Sequence, residues 1–446
     1  MTDSLFVQNE GTSVNRRHAD SPCIVLMGGK PTGSCELARA VKDAGAYLIV
    51  TDYLPRNQSP AKEIADDCWD CSTADVDALL SLCGEADVTG LIAGVHEFNI
   101  ERMAELAQRG GFNCFCTPEL LQKCVDKREF KHYCADFGID VAKEYDPNET
   151  SDFDSSIFPL AVKPLDGNGS CGFTKCFDSD GLSEAIEFAR QGSDTRRVLI
   201  EEFIDADAVI IHYTACNGEI VFSGIADKAS KSFEKGAPPI MAVQCAPSIH
   251  QSEYLSKVDS KARKMLAHMG FKDGPIWIEA FYKDGRFIFN EIGYRFGGSL
   301  TYKMVKSMYG IDQLDLMVKH ALGLRPDIHQ SPFETDAVYA IWPVHLLPGK
   351  IAAISGLDQL DGIEGYESIS LVHCPGDIIE DWGTARQVLG YVHLKAKDVD
   401  SLVASMIEVV STLGVEGEDG QELLTVLLDP RHPDEFPYFL SFQMNK

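Results

Sequence analysis

The stretch IWIEAFYKDGRFIFNEIGYRFGG, residues 276–298, decides the fold. Two strongly apolar segments flank Lys283-Asp284-Gly285, and each carries one glutamate, Glu279 in the first and Glu291 in the second. Apolar runs on either side of a short loop that contains glycine predict a β-hairpin. A three-residue loop places Glu291 opposite Trp277 and on the same face as Glu279, whereas a two-residue loop would place the glutamates on opposite faces.

Two carboxylates that face each other in such apolar surroundings need a counter-ion. Two carboxylates suit Mg²⁺ or Mn²⁺, with phosphate oxygens in the remaining positions. Arg295, which is followed by Phe296-Gly297-Gly298, places a guanidinium next to this predicted metal site. A sheet face exposed to solvent is the alternative interpretation.

A second phosphate-binding signal is the glycine-rich tip of an upstream hairpin. Lys163 ends an apolar strand and precedes PLDGNGSCG, residues 164–172, which includes Gly169 and Ser170. Backbone amides next to glycine can surround phosphate oxygens while the lysine adds a point charge. A flexible hairpin with a solvated lysine is the alternative for this segment taken alone.

Length, charge and composition exclude several classes of protein. The chain has 446 residues and a formal net charge of -28, and an acidic surface repels nucleic acid and anionic lipid. We therefore expect no nucleic-acid partner and no membrane. Residues 1–20 are a polar leader without the apolar core of a signal peptide, and the 14 cysteines are scattered. The predicted location is cytoplasmic.

The order of predicted elements divides the remaining chain into three domains. Residues 21–120 alternate strands and helices, which is typical of a parallel α/β domain. Residues 121–330 are predicted to be α+β with mostly antiparallel pairing. Residues 331–446 are predicted to be a small α+β domain.

The first domain offers two further candidate sites. Gly28, Gly29 and Gly33, with Asp52 at the end of the second strand, superficially resemble a dinucleotide-binding turn, although the spacing is not G-x-G-x-x-G. Nicotinamide or flavin binding therefore stays an alternative. Glu97 follows a strand at the carboxyl end of the sheet, where open α/β sheets bind ligands. It is a candidate to accept a substrate ammonium, and an ordinary loop acid is the alternative.

Over about residues 22–325 these segments, in this order, resemble the ATP-grasp superfamily. The resemblance implies a parallel α/β domain, then an ATP-grasp α+β nucleotide-binding domain, then a small C-terminal α+β domain. The implied metal ligands are Glu279 and Glu291. The implied nucleotide-binding residues are two lysines, a phosphate loop and an adenine-binding hinge strand: Lys127, Lys163, Gly169, Ser170, Glu201, Glu202, Phe203 and Ile204.

Two positions depart from the pattern of the superfamily. The family often has Asn two residues after the second metal glutamate, where this chain has Gly293. The hinge strand is usually followed by Gly-x-Glu, whose acid helps to hold the ribose, where this chain has Ala206-Asp207-Ala208. Asp207 and Asn290 are the candidates to substitute for the missing groups.

Within the superfamily, EIGYRFGG (residues 291–298) and the C-terminal domain most resemble stand-alone L-amino-acid (dipeptide) ligases. The resemblance implies ATP and Mg²⁺ as cofactors, and ligation of a small-molecule carboxylate to an amine through an acyl phosphate, between two amino acids. Arg295 and Lys163 are the implied catalytic residues. Candidate substrate contacts are Arg295, Gly298, Ser299 and Glu97.

Two other functions stay open, as does the oligomeric state. A carboxylase or carbamoyl-phosphate-type enzyme shares the same core as the dipeptide ligases. A nucleotide-binding regulatory protein with a decayed catalytic site would fit Gly293 and Ala208. A homodimer is compatible with either enzyme.

Overall fold

The computed structural model describes residues 21–30, 32–150, 153–166, 172–234, 239–328, 337–433, 436 and 438–439. The chain divides into two compact units. The first comprises Met1–Thr117 with Met317–Arg325, and the second comprises Pro118–Leu316 with Pro326–Lys446. The polar leader and the predicted phosphate-loop residues Gly169 and Ser170 lie outside the described residues.

The first unit is a parallel α/β domain, as predicted. Its strands are β1 (Cys23–Met27), β2 (Tyr47–Thr51), β3 (Asp67–Trp69) and β4 (Val88–Ala93). Its helices are α1 (Ser34–Asp43), α2 (Val76–Glu85) and α3 (Glu97–Gly110). The strand order is β3-β2-β1-β4, and every pair is parallel. Strand β1 is buried along its whole length, as expected for a central parallel strand.

The glycine turn after β1 is held by Asp52. The Asp52 carboxylate accepts hydrogen bonds from the Gly29 amide at 2.8 Å and from Ser59 Oγ at 2.6 Å. Lys62 Nζ lies 3.4 Å from the same carboxylate. A Cβ at Gly29 would lie 2.2 Å from Ser59 Oγ, so this position requires glycine. Asp52 thus stabilises the protein's own turn, and its carboxylate is already occupied by internal partners.

The second unit begins with two helices and a small antiparallel sheet. The helices are α4 (Pro118–Val125), α5 (Lys127–Asp136) and α6 (Leu182–Gln191). The strands are β5 (Asp140–Val141), β6 (Glu144–Tyr145), β7 (Leu160–Pro164), β8 (Thr174–Cys176) and β9 (Val198–Glu202). The order β6-β9-β7-β8 forms one sheet, and α6 packs on it through an apolar cluster. Because Lys163 stands at the end of β7, this sheet determines where the lysine lies.

A long mixed sheet forms the centre of the second unit. Its strands are β10 (Asp207–Cys216), β11 (Glu219–Lys231), β12 (Ile240–Ala246), β13 (Gly274–Lys283) and β14 (Arg286–Gly293). The accompanying helices are α7 (Gln251–Lys257), α8 (Asp259–Met269) and α9 (Tyr302–Tyr309). Helix α10 (Gln313–Ala321) begins in the second unit, and its residues from Met317 onwards belong to the first. Asn217 and Gly218 form the hairpin turn that joins β10 to β11, and both have positive φ, 51° and 85°.

The C-terminal α+β region continues this sheet. Its elements are β15 (Val338–Leu346), β16 (Gly349–Ser355), β17 (Tyr366–Leu371), β18 (Ile378–Ile379), β19 (Val388–Ala396), α11 (Val399–Thr412), β20 (Gly414–Gly417) and β21 (Leu424–Thr425). Among the described residues the strand order is β17-β19-β15-β12-β11-β10-β13-β14-β5, with β21 on β15. Because Gln244 of β12 pairs with Ile341 of β15, the sheet runs without a break from one region into the other. The division near residue 330 stays a prediction.

None of the helices in the described ranges combines the length and the apolar character that crossing a membrane requires.

Candidate active site

The β13–β14 hairpin has a shorter turn than the sequence analysis assumes. Lys283 pairs with Arg286, so the turn consists of Asp284 and Gly285 alone. Both residues have positive φ, 51° and 74°. This is the conformation of a type I′ turn, which Asp-Gly favours because it matches the twist of the strands. The three-residue loop is therefore wrong.

A β-bulge compensates for the shorter turn. Ala280 pairs with Phe289 and Glu279 pairs directly with Glu291, so Asn290 is an extra residue in β14. Without this extra residue, Glu291 would lie on the opposite face of the sheet from Glu279. The bulge brings the two glutamates opposite each other and turns the Asn290 amide towards them.

The two facing carboxylates have different surroundings. Lys228, on β11, donates to Glu279 at 2.5 Å, and the Asn290 amide donates to the other oxygen at 3.0 Å. Burial raises the pKa of Glu279, but the Lys228 charge and these hydrogen bonds outweigh burial and hold the pKa below its ordinary value. Burial, and then the charge of Glu279, raise the pKa of Glu291. An additional cation would therefore stabilise the charged form of Glu291.

A second group of charges lies around Lys163. Its Nζ lies 2.8 Å from the Glu201 carboxylate and donates to Asn290 Oδ1 at 2.8 Å. Lys131, on α5, forms an ion pair with the same glutamate. Burial raises the pKa of Glu201, but the two lysines outweigh burial and lower it. Burial and the Lys163 charge lower the pKa of Lys131 to about 8. Lys131, which is buried, and Lys163, which is partly buried, thus share one carboxylate. Lys163 connects this group to the glutamate pair through Asn290.

Lys163, Glu201 and the Glu279–Glu291 pair line a cavity of about 540 Å³. Lys228 and Asn290 lie on its wall as well, together with Phe281 from β13. Eight of the residues that line the wall are the metal ligands and nucleotide contacts that the resemblance implies: Lys127, Lys163, Glu201, Glu202, Phe203, Ile204, Glu279 and Glu291. The cavity therefore combines three lysines with two facing carboxylates, a set that can hold both a polyphosphate and a divalent cation.

The hinge, residues 201–204, borders the cavity with fewer available backbone groups than its sequence suggests. The Glu202 amide donates to the Lys143 carbonyl at 2.9 Å, and the Phe203 amide donates to the Pro159 carbonyl at 3.2 Å. The Phe203 ring lies 3.8 Å from Lys175 Nζ, which is a cation-π contact. Recognition of adenine by this segment stays a prediction. It would have to use the main-chain groups that these two hydrogen bonds leave available.

The candidate substrate contacts lie outside this cavity wall. The Arg295 Cζ lies 5.2 Å from the centre of the Trp277 ring, and its Nη1 donates to the Phe296 carbonyl at 3.0 Å. Gly298 is exposed, and Ser299 beside it is buried. Glu97 is the first residue of α3 in the first unit. The substrate roles of these residues stay predictions.

Comparison with known protein families decides the assignment. Residues 156–303, which contain Lys163, the hinge and the glutamate pair, match the family described as "ATP-grasp domain". Residues 345–418 match the family described as "L-amino acid ligase C-terminal domain 2". Residues 156–303 therefore form an ATP-grasp domain. The predicted resemblance to L-amino-acid ligases is also confirmed.

The individual proteins to which the chain is similar are distant relatives. Dapdiamide A synthase of Enterobacter agglomerans is 22% identical over 235 residues, which cover 50% of this chain and 54% of that protein. The formate-dependent phosphoribosylglycinamide formyltransferase of Erythrobacter litoralis is 23% identical over 312 residues, 68% of this chain and 77% of that protein. The crystal structure of L-amino acid ligase from Bacillus licheniformis has a TM-score of 0.73 at 17% identity, and covers 90% of this chain and 99% of that one. The structural likeness shows a shared fold, and the chain spans about half the length of the first of these relatives.

The departure from the ATP-grasp pattern at residue 293 has a steric cause. Gly293 pairs with Trp277, and a Cβ at 293 would lie 2.1 Å from the indole. The amide that other ATP-grasp proteins often carry at this position cannot fit beside Trp277. Asn290, which bonds both Lys163 and Glu279, presents an amide from the bulge instead.

The sequence analysis missed two lysines of this ATP-grasp site. Lys228 stands in the long strand β11 and belongs to no recognisable sequence motif. The alternation of side chains along a strand indicates only the face of the sheet on which a residue lies. Lys131 follows Lys127 by four residues on α5, a spacing that places both on one helix face. That spacing was the available signal, because both side chains are buried although they are lysines.

The residues of the site fit Mg²⁺ as the superfamily implies. No group of three or more His, Cys, Asp or Glu side chains with metal-ligand geometry occurs in the part of the chain that the structure describes. Mg²⁺ does not need such a group, because it commonly binds one or two carboxylates and completes its octahedron with phosphate oxygens and water. Glu279 and Glu291 supply the carboxylates. The pKa of Glu291 is raised because its negative charge is buried next to that of Glu279, and a bound cation would compensate that charge.

Proposed function

We propose that this chain is an ATP-dependent, ADP-forming ligase that joins the carboxylate of one amino acid to the amine of another. The observation that carries the proposal is the convergence of Lys127, Lys163 and Lys228 with the Glu279–Glu291 pair on one cavity wall. The match of residues 345–418 to an L-amino acid ligase domain supports amino acids as substrates.

The reaction would proceed in two balanced steps. An oxygen of the substrate carboxylate attacks the γ-phosphorus of ATP, the bond to the β,γ-bridging oxygen breaks, and ADP leaves. The amine nitrogen of the second substrate then attacks the acyl carbon, and the carbon–oxygen bond to phosphate breaks. The amine loses a proton, and amide and inorganic phosphate are released. Phosphoryl transfer of this kind is accelerated mainly by positioning and by neutralisation of charge.

The lysines and the hinge would bind the nucleotide. Lys163 would exchange its Glu201 and Asn290 contacts for phosphate oxygens, and Glu201 would then keep Lys131 as its partner. Lys127, at the first turn of α5, would add a second positive charge together with the positive end of the helix dipole. Glu202 to Ile204 would border the adenine. Gly169 and Ser170, which lie outside the described residues, would be the phosphate contacts that the family resemblance implies.

Glu279 and Glu291 would hold Mg²⁺, which would neutralise part of the phosphate charge. Asn290 and Lys228 would keep the two carboxylates in place, since both groups contact Glu279. Arg295 would neutralise the carboxylate of the acyl donor and then the acyl phosphate, because its planar fork matches both groups.

Donor size would be set next to Gly298 and Ser299. Ser299 is small, and if it borders the donor side chain the pocket would have room for a donor larger than glycine or alanine. Ser299→Trp should shift preference towards the smallest donors, since the indole fills the space that a larger side chain needs. Glu97 would contribute an acceptor for a substrate ammonium.

Phosphate release over a matrix of the twenty amino acids in pairs tests the proposal. Bicarbonate and formate are assayed in separate wells, and mass spectrometry identifies each product. Glu291→Gln is the control for ATP hydrolysis by contaminants. A dipeptide from at least one pair, made only by the wild type, supports the proposal.

The same assay separates the alternatives. Phosphate release with bicarbonate and an amine, without any dipeptide, would make the protein a carboxylase. Tight ATP binding without phosphate release from any well would indicate a regulatory binding protein. Formate is included because the chain is similar to a formate-dependent formyltransferase. Cytoplasmic location and a homodimer stay predictions, to be checked by fractionation and by light scattering.

A further inference from the structure

Trp277 is a residue of β13, the strand that carries Glu279. It stands two residues before Glu279 on β13, and its side chain therefore lies on the same sheet face. Its partner on β14 is Gly293. A Cβ at 293 would lie 2.1 Å from Cε2 and 2.3 Å from Nε1 of the indole. The indole thus lies directly against the backbone of β14, in the volume that any side chain at residue 293 would occupy.

The indole also contacts Arg295. The guanidinium carbon lies 5.2 Å from the centre of the ring, within the range of a cation-π contact, and tryptophan is the strongest aromatic partner for a cation. Arg295 Nη1 donates to the Phe296 carbonyl at 3.0 Å. One end of the guanidinium is therefore bonded to the chain, and its face is covered by Trp277.

Packing, and not hydrogen bonding, determines where the indole lies. Its Nε1 is buried and has no acceptor among the residues that the structure describes. The strand on the other side of β13 presents His212 opposite Trp277, and that histidine is 2% exposed. Because the ring lies directly against the backbone at Gly293 and a buried residue stands opposite on the other neighbouring strand, it can act as a rigid support.

We propose that Trp277 is the positioning residue for Arg295: the indole, seated over Gly293, holds the guanidinium in the orientation that receives the carboxylate substrate. Gly293 and Trp277 then act as one unit, in which the missing side chain at 293 makes the space for the support. This inference rests on the proposed function, in which Arg295 binds the acyl-donor carboxylate. Trp277 itself would contact neither substrate.

The test compares Trp277→Leu and Trp277→Phe in the full-length protein. The leucine removes the π face, and the phenylalanine keeps a weaker one. The KM for the carboxylate amino acid should rise about tenfold for Trp277→Leu and only a few-fold for Trp277→Phe. The dissociation constant for ATP, from calorimetry, should stay within a factor of two. Trp382→Leu is the matched control, since Trp382 is bonded to Glu380 in the C-terminal region, and it should leave both constants unchanged.

Two results would overturn the proposal. One is a carboxylate KM of the wild-type size in Trp277→Leu, and the other is an equal loss of ATP affinity, which would indicate general damage to the site. If Trp277→Leu does not fold, the few-fold rise in Trp277→Phe decides the question, and its absence counts against the proposal.

A measurement without turnover separates this proposal from the proposed function. Melting temperatures are taken for Trp277→Phe, Arg295→Met and the double variant. If the two side chains support each other, the double variant melts higher than the sum of the single losses predicts. Additive losses of melting temperature would show that Trp277 does not hold Arg295. Non-additive losses in a protein that makes no amide would support the contact between Trp277 and Arg295 and would contradict only the proposed ligase function.

Discussion

The two ends of the long sheet treat buried ionisable groups in opposite ways. On β11, β13 and β14, Lys228 and Glu279 are partly buried and stay charged, because each is the other's partner at 2.5 Å. On β15 and β19, His345 and His393 are fully buried, and burial lowers their pKa values to about 4 and about 3. Both ring nitrogens of His345 lack a partner among the described residues. Burial alone therefore produces neutral side chains, and charge persists only where an opposite charge or a ligand compensates it.

The largest expected effects come from the two glutamates of the charged end. Glu279→Gln and Glu291→Gln should each lower turnover by more than about 100-fold, because even groups that only orient metal ligands are worth 10- to 100-fold. Their effects on stability should differ in sign. Glu279→Gln weakens the charge-assisted bond to Lys228 and should reduce the free energy of unfolding by about 1.5–3 kcal/mol. Glu291→Gln removes the carboxylate whose pKa is raised and should increase it.

Urea unfolding at pH 7 without nucleotide or metal measures this difference. The two variants carry the same chemical change on directly paired residues, so each is the control for the other. Equal losses of stability would show that the carboxylates have equivalent surroundings, contrary to the contacts of Glu279 with Lys228 and Asn290.

The next effect concerns Lys163. Lys163→Ala removes a charge-assisted phosphate contact worth about 1.5–3 kcal/mol, and ATP affinity should fall at least about tenfold. Calorimetric titration with ATP measures it. Lys397→Ala, an exposed lysine of the C-terminal region, is the control and should bind like the wild type. Wild-type affinity in Lys163→Ala would remove Lys163 from the nucleotide site.

The same contrast explains what the sequence could predict. Charged residues in apolar strands, such as Glu279 and Glu291, stand out in a sequence, and the structure places both on one cavity. The type I′ turn was also readable, because Asp284-Gly285 is its preferred dipeptide. The bulge was not, because Asn290 differs from a regular strand residue only through the pairing of the neighbouring strand. Lys228 was missed for the same reason, since its partner is 51 residues away.

Domain organisation, too, could be predicted only where local sequence patterns determine it. The parallel first unit was predicted from local alternation of strands and helices, which the chain order carries by itself. The continuity of the sheet from β12 into β15 depends on pairing between residues about 100 positions apart, Gln244 with Ile341, and no local pattern encodes it. Trp277 appeared in the sequence only as one more apolar residue, because its contact with Gly293 exists only across the hairpin.

A smaller effect should appear in the pH dependence of the free energy of unfolding, to which the buried histidines and the paired carboxylates contribute in different pH ranges. An unfolded histidine binds a proton near pH 6.5, but folded His345 and His393 do so only near 4 and 3. Between pH 6.5 and 5 the unfolded chain therefore binds more protons, and the free energy of unfolding falls as pH falls. The slope is up to about 1.4 kcal/mol per pH unit for each histidine. The paired carboxylates Glu201 and Glu279, whose pKa values are lowered, lose their contribution only at lower pH, below 4.5.

Urea unfolding at pH 6.5, 5.75 and 5.0 measures this slope. His345→Leu should flatten it, because the leucine takes up no proton. Lys131→Met, at the charged end, should leave the slope in this window as in the wild type, since the pKa of Lys131 lies near 8. An unchanged slope in His345→Leu would mean that His345 is protonated in the folded protein.

The smallest expected effect concerns the N-terminal caps of two helices, α5 near the cavity and α11 in the C-terminal region. Asp126 caps α5 by accepting the amides of Arg128 and Glu129, and Asp398 caps α11 by accepting the amide of Ser401. Each Asp→Ala change should cost about 1 kcal/mol of stability, because a helix amide loses its acceptor. Only Asp126→Ala should also weaken ATP binding, because α5 begins at Lys127, a predicted phosphate contact, whereas α11 carries no residue of the cavity wall. Thermal unfolding and ATP titration of both variants test this, and equal ATP affinities would show that the cap of α5 does not position the lysine.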